Sequence, residues 1–522
     1  MYYKKDRIML DIIIIVIYFS IVMIAALTGR SKKKLTVDEY FLSSRSLRWP
    51  SIAFSTIATN IQGYQFLGMM GSAYLYGIAQ ASLEINAVQG ILLAAFIFVP
   101  YYLKAEIVTI TQFIKIKLGK KIALVYSLSN ILLFSTITIG AALFWGAYAA
   151  DIVFGDLLSF ISKDRFTRIT VLIISLGLLS TIYTYLGGLT AVVRTDIIQF
   201  LILISGGIVV MFTAIHHLGG WSQLYIKTPE LMHLHLPADH DKLPWTHIFG
   251  LFLLNINYWC ANQSVIQRSL AAKNLKHAQI GLMAGGIIKY LMAIIIVVPG
   301  IALVGILGKN GLSDPDMAFP YLVNTYLPVG AKGLVLCALF ASLMSTVDST
   351  FNSLATLWSV DIYKEYFNKK ATETQIVYSG KRAILFGFAS GATIGIVLLY
   401  LKFSNPDAAF THTLNELRYY INCGIVVIIC SAIFLVAPKQ KITLVAFFAT
   451  VLLQFIIKYI FPEMNYFVRA MWVILISFSL ILFMSKTKFI NFKSLIISSS
   501  SNVKMFGTGM VISLILLHII FH

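Results

Sequence analysis

Residues 58–65 read Ala-Thr-Asn-Ile-Gln-Gly-Tyr-Gln, a polar run inside an otherwise apolar stretch at 51–77. A helix exposed to lipid would not place these amides at mid-membrane depth, because every polar group there needs a partner. Backbone that unwinds beside a cavity would accommodate them, since it frees carbonyl oxygens for a cation and side chains for a polar solute. The alternative is a regular helix packed in a bundle, with its amides bonded to neighbouring helices.

The composition around this run is that of a membrane protein. Of 522 residues, 58% are hydrophobic and 12% are charged, against about 45–50% and 25% in soluble proteins. Apolar stretches of about 20 residues, long enough to cross the hydrocarbon core, recur along the chain. This pattern excludes a soluble globular enzyme, and it means that the net charge of +19 reports topology rather than nucleic-acid binding.

Hydropathy predicts an all-α membrane protein with about fourteen transmembrane helices in a single domain, 1–522. An external N-terminus places most of the 41 Lys and Arg residues in cytoplasmic loops, so both termini are expected outside. The expected location is the plasma membrane, as a bacterial inner-membrane protein. The predicted spans are 8–29, 51–77, 80–102, 122–155, 168–187, 192–217, 247–266, 278–308, 329–361, 379–402, 414–437, 440–460, 466–485 and 503–521.

A stripe of hydroxyl residues follows one face of the span at 329–361. Its members are mostly three or four residues apart, which places them on one side of a helix. Ser and Thr oxygens suit Na⁺ better than a soft metal, although small hydroxyl residues also serve ordinary helix packing. Opposite an unwound run at 58–65, the stripe predicts a cation site. The stripe consists of Ser342, Ser345, Thr346, Ser349, Ser353 and Thr356.

Two charged residues and one polar cluster fall inside other spans. Glu84 and Lys289 would each cost about 3 kcal/mol or more if unpaired in lipid, so they either neutralise each other or face a wet cavity. Asn255 lies near Tyr258 and Trp259. An amide beside two aromatic rings is a common way to bind a sugar, but the rings are equally consistent with a lipid-facing surface.

The longest external loop, 218–246, is rich in histidine. It carries His233, His235 and His240 beside Asp239 and Asp241. This set is consistent with a transition-metal site and equally with a solvated loop. No Walker A, zinc-protease, serine-hydrolase or dinucleotide motif stands in a suitable context, so nothing predicts an enzyme.

Six motifs stand in a characteristic order between about Val37 and Ala437. They are Tyr40-Phe41-Leu42 with Ser44-Arg45-Ser46-Leu47, the run at 58–65, Gly187-Gly188-Leu189-Thr190-Ala191-Val192-Val193 leading to Asp196, Gln267-Arg268-Ser269-Leu270-Ala271-Ala272-Lys273, Leu327-Pro328-Val329-Gly330, and Asp361-Ile362-Tyr363-Lys364-Glu365-Tyr366. In these motifs the chain resembles the sodium/solute symporter family, specifically its sodium–sugar branch.

The resemblance implies a LeuT-like core of two inverted five-helix repeats, at about 51–217 and 247–437, with peripheral helices at 8–29 and 440–521. The first helix of each repeat is then broken, and solute and Na⁺ bind at the centre.

The resemblance also implies the site residues. The main sodium would be held by backbone oxygens of Ala58, Ile61 and Ser342 and by the hydroxyls of Ser345 and Thr346. Sugar-contacting positions correspond to Asn60, Gln65, Glu84, Asn255 and Lys289, and the aromatic inner gate corresponds to Tyr258.

A second sodium site is implied by Asp196, Asp348 and Ser349. Members that couple two sodium ions have a hydroxyl pair where this chain has Asp348 and Ser349. The carboxylate therefore leaves three alternatives open: a second Na⁺, a protonated Asp348, or an ion pair with a Lys or Arg.

The expected function is import of a neutral hexose or related polyol driven by Na⁺, with no cofactor and no nucleic-acid partner. The expected partners are the solute, sodium ions and the lipid bilayer. Arg418 stands where the sugar branch usually offers a Gln, and it either meets an acidic substrate group or extends outward. The alternative solutes are myo-inositol, an acidic sugar or a carboxylate. A membrane sensor is a further alternative, but it needs a cytoplasmic output domain, and the last predicted span, 503–521, ends beside His522.

Overall fold

The computed structural model describes residues 2–28, 35–63, 65–240, 242–405, 410–491 and 499–522. Tyr64 and Asp241, named above, lie outside them. Within these ranges the regular structure is helical, with isolated β-bridges only. Eleven helices of the described part are long and apolar enough to cross a membrane. The prediction of an all-α membrane protein is confirmed, and the count of about fourteen spans stays a prediction.

The helices are α1 (Tyr2–Leu27), α2 (Val37–Leu42), α3 (Trp49–Asn60), α4 (Met70–Tyr76), α5 (Ser82–Leu93), α6 (Val99–Lys104), α7 (Ile110–Leu118), α8 (Lys120–Leu133), α9 (Ile139–Phe154), α10 (Arg165–Leu218), α11 (Trp221–Lys227), α12 (His247–Asn255), α13 (Gln263–Leu270), α14 (Leu275–Leu307), α15 (Ala318–Tyr326), α16 (Ala331–Thr356), α17 (Glu373–Ser404), α18 (Phe410–Phe434), α19 (Gln440–Ile460), α20 (Tyr466–Ser485) and α21 (Ser501–Ile520). Segments of π-helix cover Gln65–Met69, Ala94–Phe98, Phe134–Thr138, Ile256–Ala261 and Leu357–Phe367.

The longest helix, α10, is two helices joined at a kink. Its 54 residues would extend about 80 Å, far more than the thickness of a bilayer. Gly188 breaks it with φ of 55° and ψ of −148°. A side chain there would collide with the backbone oxygen of Tyr40, so this position requires glycine. The kink therefore brings two of the sequence motifs, at Tyr40 and at Gly187–Val193, into contact.

Two helices are interrupted within their length; the polar run at 58–65 predicts the first break, and the family resemblance implies the second. The first, α3, ends at Asn60, and Ile61 is extended with φ of −84° and ψ of 116°. The second, α12, continues as a π-helical turn and is interrupted at Asn262, where φ is −86° and ψ is 114°. The broken helix at 58–65 is therefore confirmed, and the second break lies beyond Tyr258 rather than beside Asn255.

Helix α16 lies in the centre of the molecule. It packs against α10, α9, α17, α1 and α3, and every residue of its hydroxyl stripe is buried. Burial inside the bundle is the arrangement that spares these hydroxyls from lipid. The stripe therefore faces protein along its whole length, including the break in α3.

Candidate functional site

Oxygen atoms of α3 and α16 converge where α3 unwinds. The Ser342 hydroxyl donates to the carbonyl of Ile61 at 2.8 Å, and the Thr346 hydroxyl donates to the carbonyl of Thr59 at 3.2 Å. The last carbonyls of a helix have no partner in their own helix, so the hydroxyls of α16 occupy that position. Ala58 is buried in the last turn of α3. Three residues of the expected sodium set, Ile61, Ser342 and Thr346, are thus brought together.

Ser345 has a different partner. Its hydroxyl donates to Oδ1 of Asp196 at 2.5 Å, and the hydroxyl of Ser55 donates to Oδ2 of the same carboxylate. Both residues and the carboxylate are fully buried. The structure therefore joins Ser345, expected in the main sodium set, to Asp196, expected in the second set.

The second set contains a buried ion pair that sequence reasoning did not identify. Arg268, on α13, places Nη2 at 3.1 Å from Oδ2 of Asp196, and both side chains are 0% exposed. Its guanidinium also donates to the hydroxyls of Ser55 at 2.9 Å and Thr59 at 2.8 Å. A further contact reaches Ser349. Arg268 falls outside the predicted spans, in a polar stretch that also carries Lys273 and Lys276, so its burial had no clear signal in the sequence.

Asp348 lies in the same buried cluster. It accepts a hydrogen bond of 2.5 Å from the phenol of Tyr183, and the Ser349 hydroxyl is 3.4 Å from its other oxygen. The hydroxyls of Thr59 and Ser349 are 2.8 Å apart. Asp348 and Ser349 are therefore placed together with Arg268 beside them, and the ion pair that forms involves Asp196 instead of Asp348.

A second ionic network lies beside the break in α3 and includes the side chain of Asn60. Lys289 forms an ion pair with Glu84, with the two side chains 2% and 7% exposed. Its Nζ also donates to Oδ1 of Asn60 at 2.5 Å, and the Gln65 amide donates to Glu84 at 3.1 Å. Of the two alternatives for Glu84 and Lys289, mutual neutralisation is the one that the structure contains. Four of the six expected solute-binding residues thus form one connected network.

The remaining two expected residues lie on α12 and the π-helical turn after it. The Asn255 amide donates to the backbone oxygen of Asn86 at 3.1 Å, on the helix that carries Glu84. Tyr258 packs edge-on against Trp259, with ring centroids 5.1 Å apart. The Trp259 ring lies 5.9 Å from the ammonium group of Lys289. Of the two rings that the sequence places near Asn255, Trp259 is therefore the one that the structure sets over the ammonium group of the ionic network.

A polar cavity of about 80 Å³ lies between the two helix breaks. This volume is enough for several water molecules. Thr346 lines it, so the cavity reaches the oxygen cluster of α3 and α16. Arg418 supplies a charged side chain to its wall. The lining residues are Thr59, Gln62, Asn130, Leu133, Phe134, Thr138, Asn257, Tyr258, Asn262, Ser264, Thr346, Thr350, Arg418 and Asn422.

Comparison with solved structures shows the fold. A Na⁺-coupled sialic acid symporter in a substrate-bound, outward-open state has a TM-score of 0.77 with this chain, at 19% identity, over 91% of this chain and 98% of that one. Mhp1, a nucleobase-cation-symport-1 family transporter, has a TM-score of 0.54 with this chain, at 13% identity, over 91% of this chain and 100% of that one. The predicted transporter fold is confirmed, and the repeat boundaries 51–217 and 247–437 stay predictions.

Comparison with known sequences shows the family. The sodium/glucose cotransporter of Vibrio parahaemolyticus is 28% identical over 92% of this chain and 91% of its own length. Sodium/glucose cotransporter 1 of Oryctolagus cuniculus is 32% identical over 74% of this chain, which corresponds to 62% of that protein. Residues 40–397 match the family model described as the sodium:solute symporter family. This protein belongs to the sodium:solute symporter family.

Proposed function

We propose that this protein imports a neutral hexose or related polyol, driven by inward Na⁺ flow. The observation that carries the proposal is the convergence of two hydroxyls of α16, Ser342 and Thr346, on the carbonyls of Ile61 and Thr59 at the break in α3. These are neutral, hard oxygen ligands, which suit Na⁺. The sodium/glucose cotransporters among its relatives support sugar as the solute class.

Asn60 links the proposed sodium ligands to the proposed solute site. Its neighbours in the chain, Thr59 and Ile61, offer carbonyls to the hydroxyls of α16, while its own side chain binds Lys289. An ion that fixes these two carbonyls also fixes the position of Asn60. Sodium then favours the geometry in which the solute site is complete, and by linkage the solute favours sodium binding to the same extent. A membrane potential of 100 mV adds about 2.3 kcal/mol per charge moved.

The network around Lys289 has the chemistry that a polyol requires. A sugar hydroxyl both donates and accepts, and the network offers an ammonium donor, the Glu84 carboxylate as acceptor, and the amides of Asn60 and Gln65, which do both. Solute hydroxyls would replace some of the contacts that these groups make with each other. Trp259 and Tyr258 would cover the apolar face of the ring.

The second sodium is proposed at Asp196, Asp348 and Ser349. These residues share a fully buried cluster with Arg268, and two carboxylates with one guanidinium carry a formal charge of −1 if both acids are ionised. One Na⁺ or one proton would neutralise that charge, because an uncompensated buried charge is costly. A proton on Asp348 is therefore the direct competitor of the second ion.

An acidic sugar is the second candidate solute. The observation that favours it is Arg418, which lines the cavity between the two helix breaks. A guanidinium binds a carboxylate through two parallel hydrogen bonds. Arg418 is the cation that lines this cavity, so it is the one that such a solute would meet there.

Uptake by proteoliposomes tests these proposals. Vesicles with an inward Na⁺ gradient, or a K⁺ gradient as control, are given labelled hexoses, myo-inositol, a hexuronate and a sialic acid. We expect accumulation of one neutral member under the Na⁺ gradient only. Accumulation of the acidic members alone would favour the second candidate, and accumulation that ignores Na⁺ would contradict both. Thiol labelling of single-cysteine variants from either side tests the proposed external termini in the plasma membrane.

A further inference from the structure

A cluster of histidines, none of which belongs to the proposed transport site, lies where the end of α21 meets the loop between α10 and α12. The two facing nitrogens, Nδ1 of His518 and Nε2 of His235, are 3.1 Å apart. The His522 ring lies 5.4 Å from the His235 ring, measured between centroids, and the His518 ring lies at 5.0 Å. The three rings line one open groove of about 540 Å³. We propose that His235, His518 and His522 bind a divalent transition-metal ion, Zn²⁺ in particular.

The spacing of the rings is that of imidazoles sharing a metal. Zinc–nitrogen bonds of about 2.0–2.1 Å in tetrahedral geometry place two ligand nitrogens about 3.3 Å apart and their ring centres about 5 Å apart. The distances given above are close to both values. Imidazole nitrogen is also a preferred ligand of zinc, copper and nickel, whereas oxygen ligands suit harder ions.

Hydrogen bonds fix the tautomer of His518 that a metal needs. Asn86 donates its amide to the carbonyl of Ser82 at 2.8 Å, so its Oδ1 points away and accepts from Gln89 at 2.8 Å. The same oxygen lies 3.2 Å from Nε2 of His518. That nitrogen must therefore donate, which leaves the lone pair of Nδ1 directed at His235. In metal sites the second nitrogen of a ligating histidine usually donates to a carbonyl or carboxylate oxygen, which fixes the orientation of the ring.

Hydrogen bonds to the backbone hold the loop that carries His235 against the C-terminal end of α21. The Leu234 N–H donates to the Phe521 carbonyl at 2.6 Å, and Nδ1 of His233 lies 3.0 Å from the backbone oxygen of His522. His235 is thereby fixed against the end of α21. His518 lies in the last turn of α21, and His522 lies two residues beyond the end of that helix at Ile520.

The sequence predicts a different set of metal ligands in this loop, which includes His240. His240 does not join the site, because its Nδ1 accepts from the N–H of Leu243 at 3.0 Å within a turn. Among the described residues no group of three or more His, Cys, Asp or Glu side chains is placed to hold a metal ion as it stands. The proposal therefore requires the His522 ring to rotate toward the other two rings, with water as the fourth ligand of a tetrahedral site.

Calorimetric titration with ZnCl₂ tests the proposal on the full chain, purified without a polyhistidine tag and treated with EDTA. We expect one Zn²⁺ per chain. His235→Asn and His518→Gln should each weaken binding at least about tenfold, since loss even of a residue that only hydrogen-bonds to a ligand costs about 10–100-fold. His216→Asn is the matched control, because His216 is exposed at the end of α10, beside the same loop. Its affinity should equal that of the wild type.

A cobalt titration of the wild type makes the test independent of how the variants fold. Bound Co²⁺ should give the intense visible absorption of a tetrahedral site, and Zn²⁺ should abolish it. Absence of stoichiometric Zn²⁺ binding to the wild type overturns the proposal and leaves His235 and His518 as a hydrogen-bonded pair. Wild-type affinity in both substituted proteins overturns it equally. Neither result bears on sodium-coupled uptake, which is measured separately.

Discussion

Removal of the Thr346 hydroxyl should show whether this residue is a sodium ligand or serves only helix packing. Thr346→Ala deletes the oxygen that lies 3.2 Å from the Thr59 carbonyl and leaves its neighbours in place. A hydrogen bond to a charged group contributes about 1.5–3 kcal/mol, and we assign a similar value to one neutral ligand of Na⁺. Since about 1.4 kcal/mol corresponds to a factor of ten, the Na⁺ concentration for half-maximal uptake should rise about 10- to 150-fold.

The assay is initial uptake in proteoliposomes as a function of external Na⁺ at fixed solute. Thr346→Ser keeps an oxygen at this position and should remain near the wild type. Thr181→Ala is the matched control, because the Thr181 hydroxyl is buried and, among the described residues, bonds only to the Gly177 carbonyl of its own helix, at 2.7 Å. An unchanged Na⁺ requirement in Thr346→Ala would refute the assignment of this site. An equal change in Thr181→Ala would show that the effect is structural.

Three further perturbations address the ionic groups. Glu84→Gln should raise the solute concentration for half-maximal uptake at least several-fold, because a buried group left unpaired costs about 1–3 kcal/mol; an unchanged value would make Glu84 structural. Voltage-clamped vesicles should carry two charges per neutral solute, falling to one in Asp348→Ala, and a wild-type ratio of one would exclude the second sodium. Arg268→Met should lower the thermal midpoint of the purified protein, because loss of one partner of a buried ion pair costs about 3–5 kcal/mol; adding Asp196→Asn should restore part of the loss, and additive losses would contradict the pairing.

The features that could be predicted from the sequence are those that lipid makes costly. Polar residues at 58–65 predict a break because an apolar solvent offers no hydrogen-bond partners to an exposed amide. The hydroxyl stripe of α16 follows from spacing along one helix, which needs no knowledge of the partner. Glu84 and Lys289 could be identified because two intramembrane charges of opposite sign have few ways to be neutralised.

The features that could not be predicted depend on contacts between distant segments. The pairing of Asp196 with Arg268 joins α10 to α13, and spacing along the chain does not specify which acid meets which base. The hydroxyl of Ser345 points to Asp196 because a carboxylate lies within reach, although helical periodicity alone groups Ser345 with Thr346. The histidine cluster joins the loop between α10 and α12 to residues at the far end of the sequence.

The buried ion pair and the contacts between neutral groups differ in the free energy that their separation during transport would cost. Separation of Arg268 from Asp196 would leave a buried charge uncompensated, at a cost of about 3–5 kcal/mol, so α10 and α13 should stay joined through the cycle. A contact between neutral groups, such as that of Thr346 with the Thr59 carbonyl, contributes only about 1 kcal/mol. A sodium ion can therefore replace the neutral contacts between α16 and α3 at little cost. In the proposed mechanism coupling therefore depends on these hydroxyls and carbonyls, while the ion pair holds the helices that surround them.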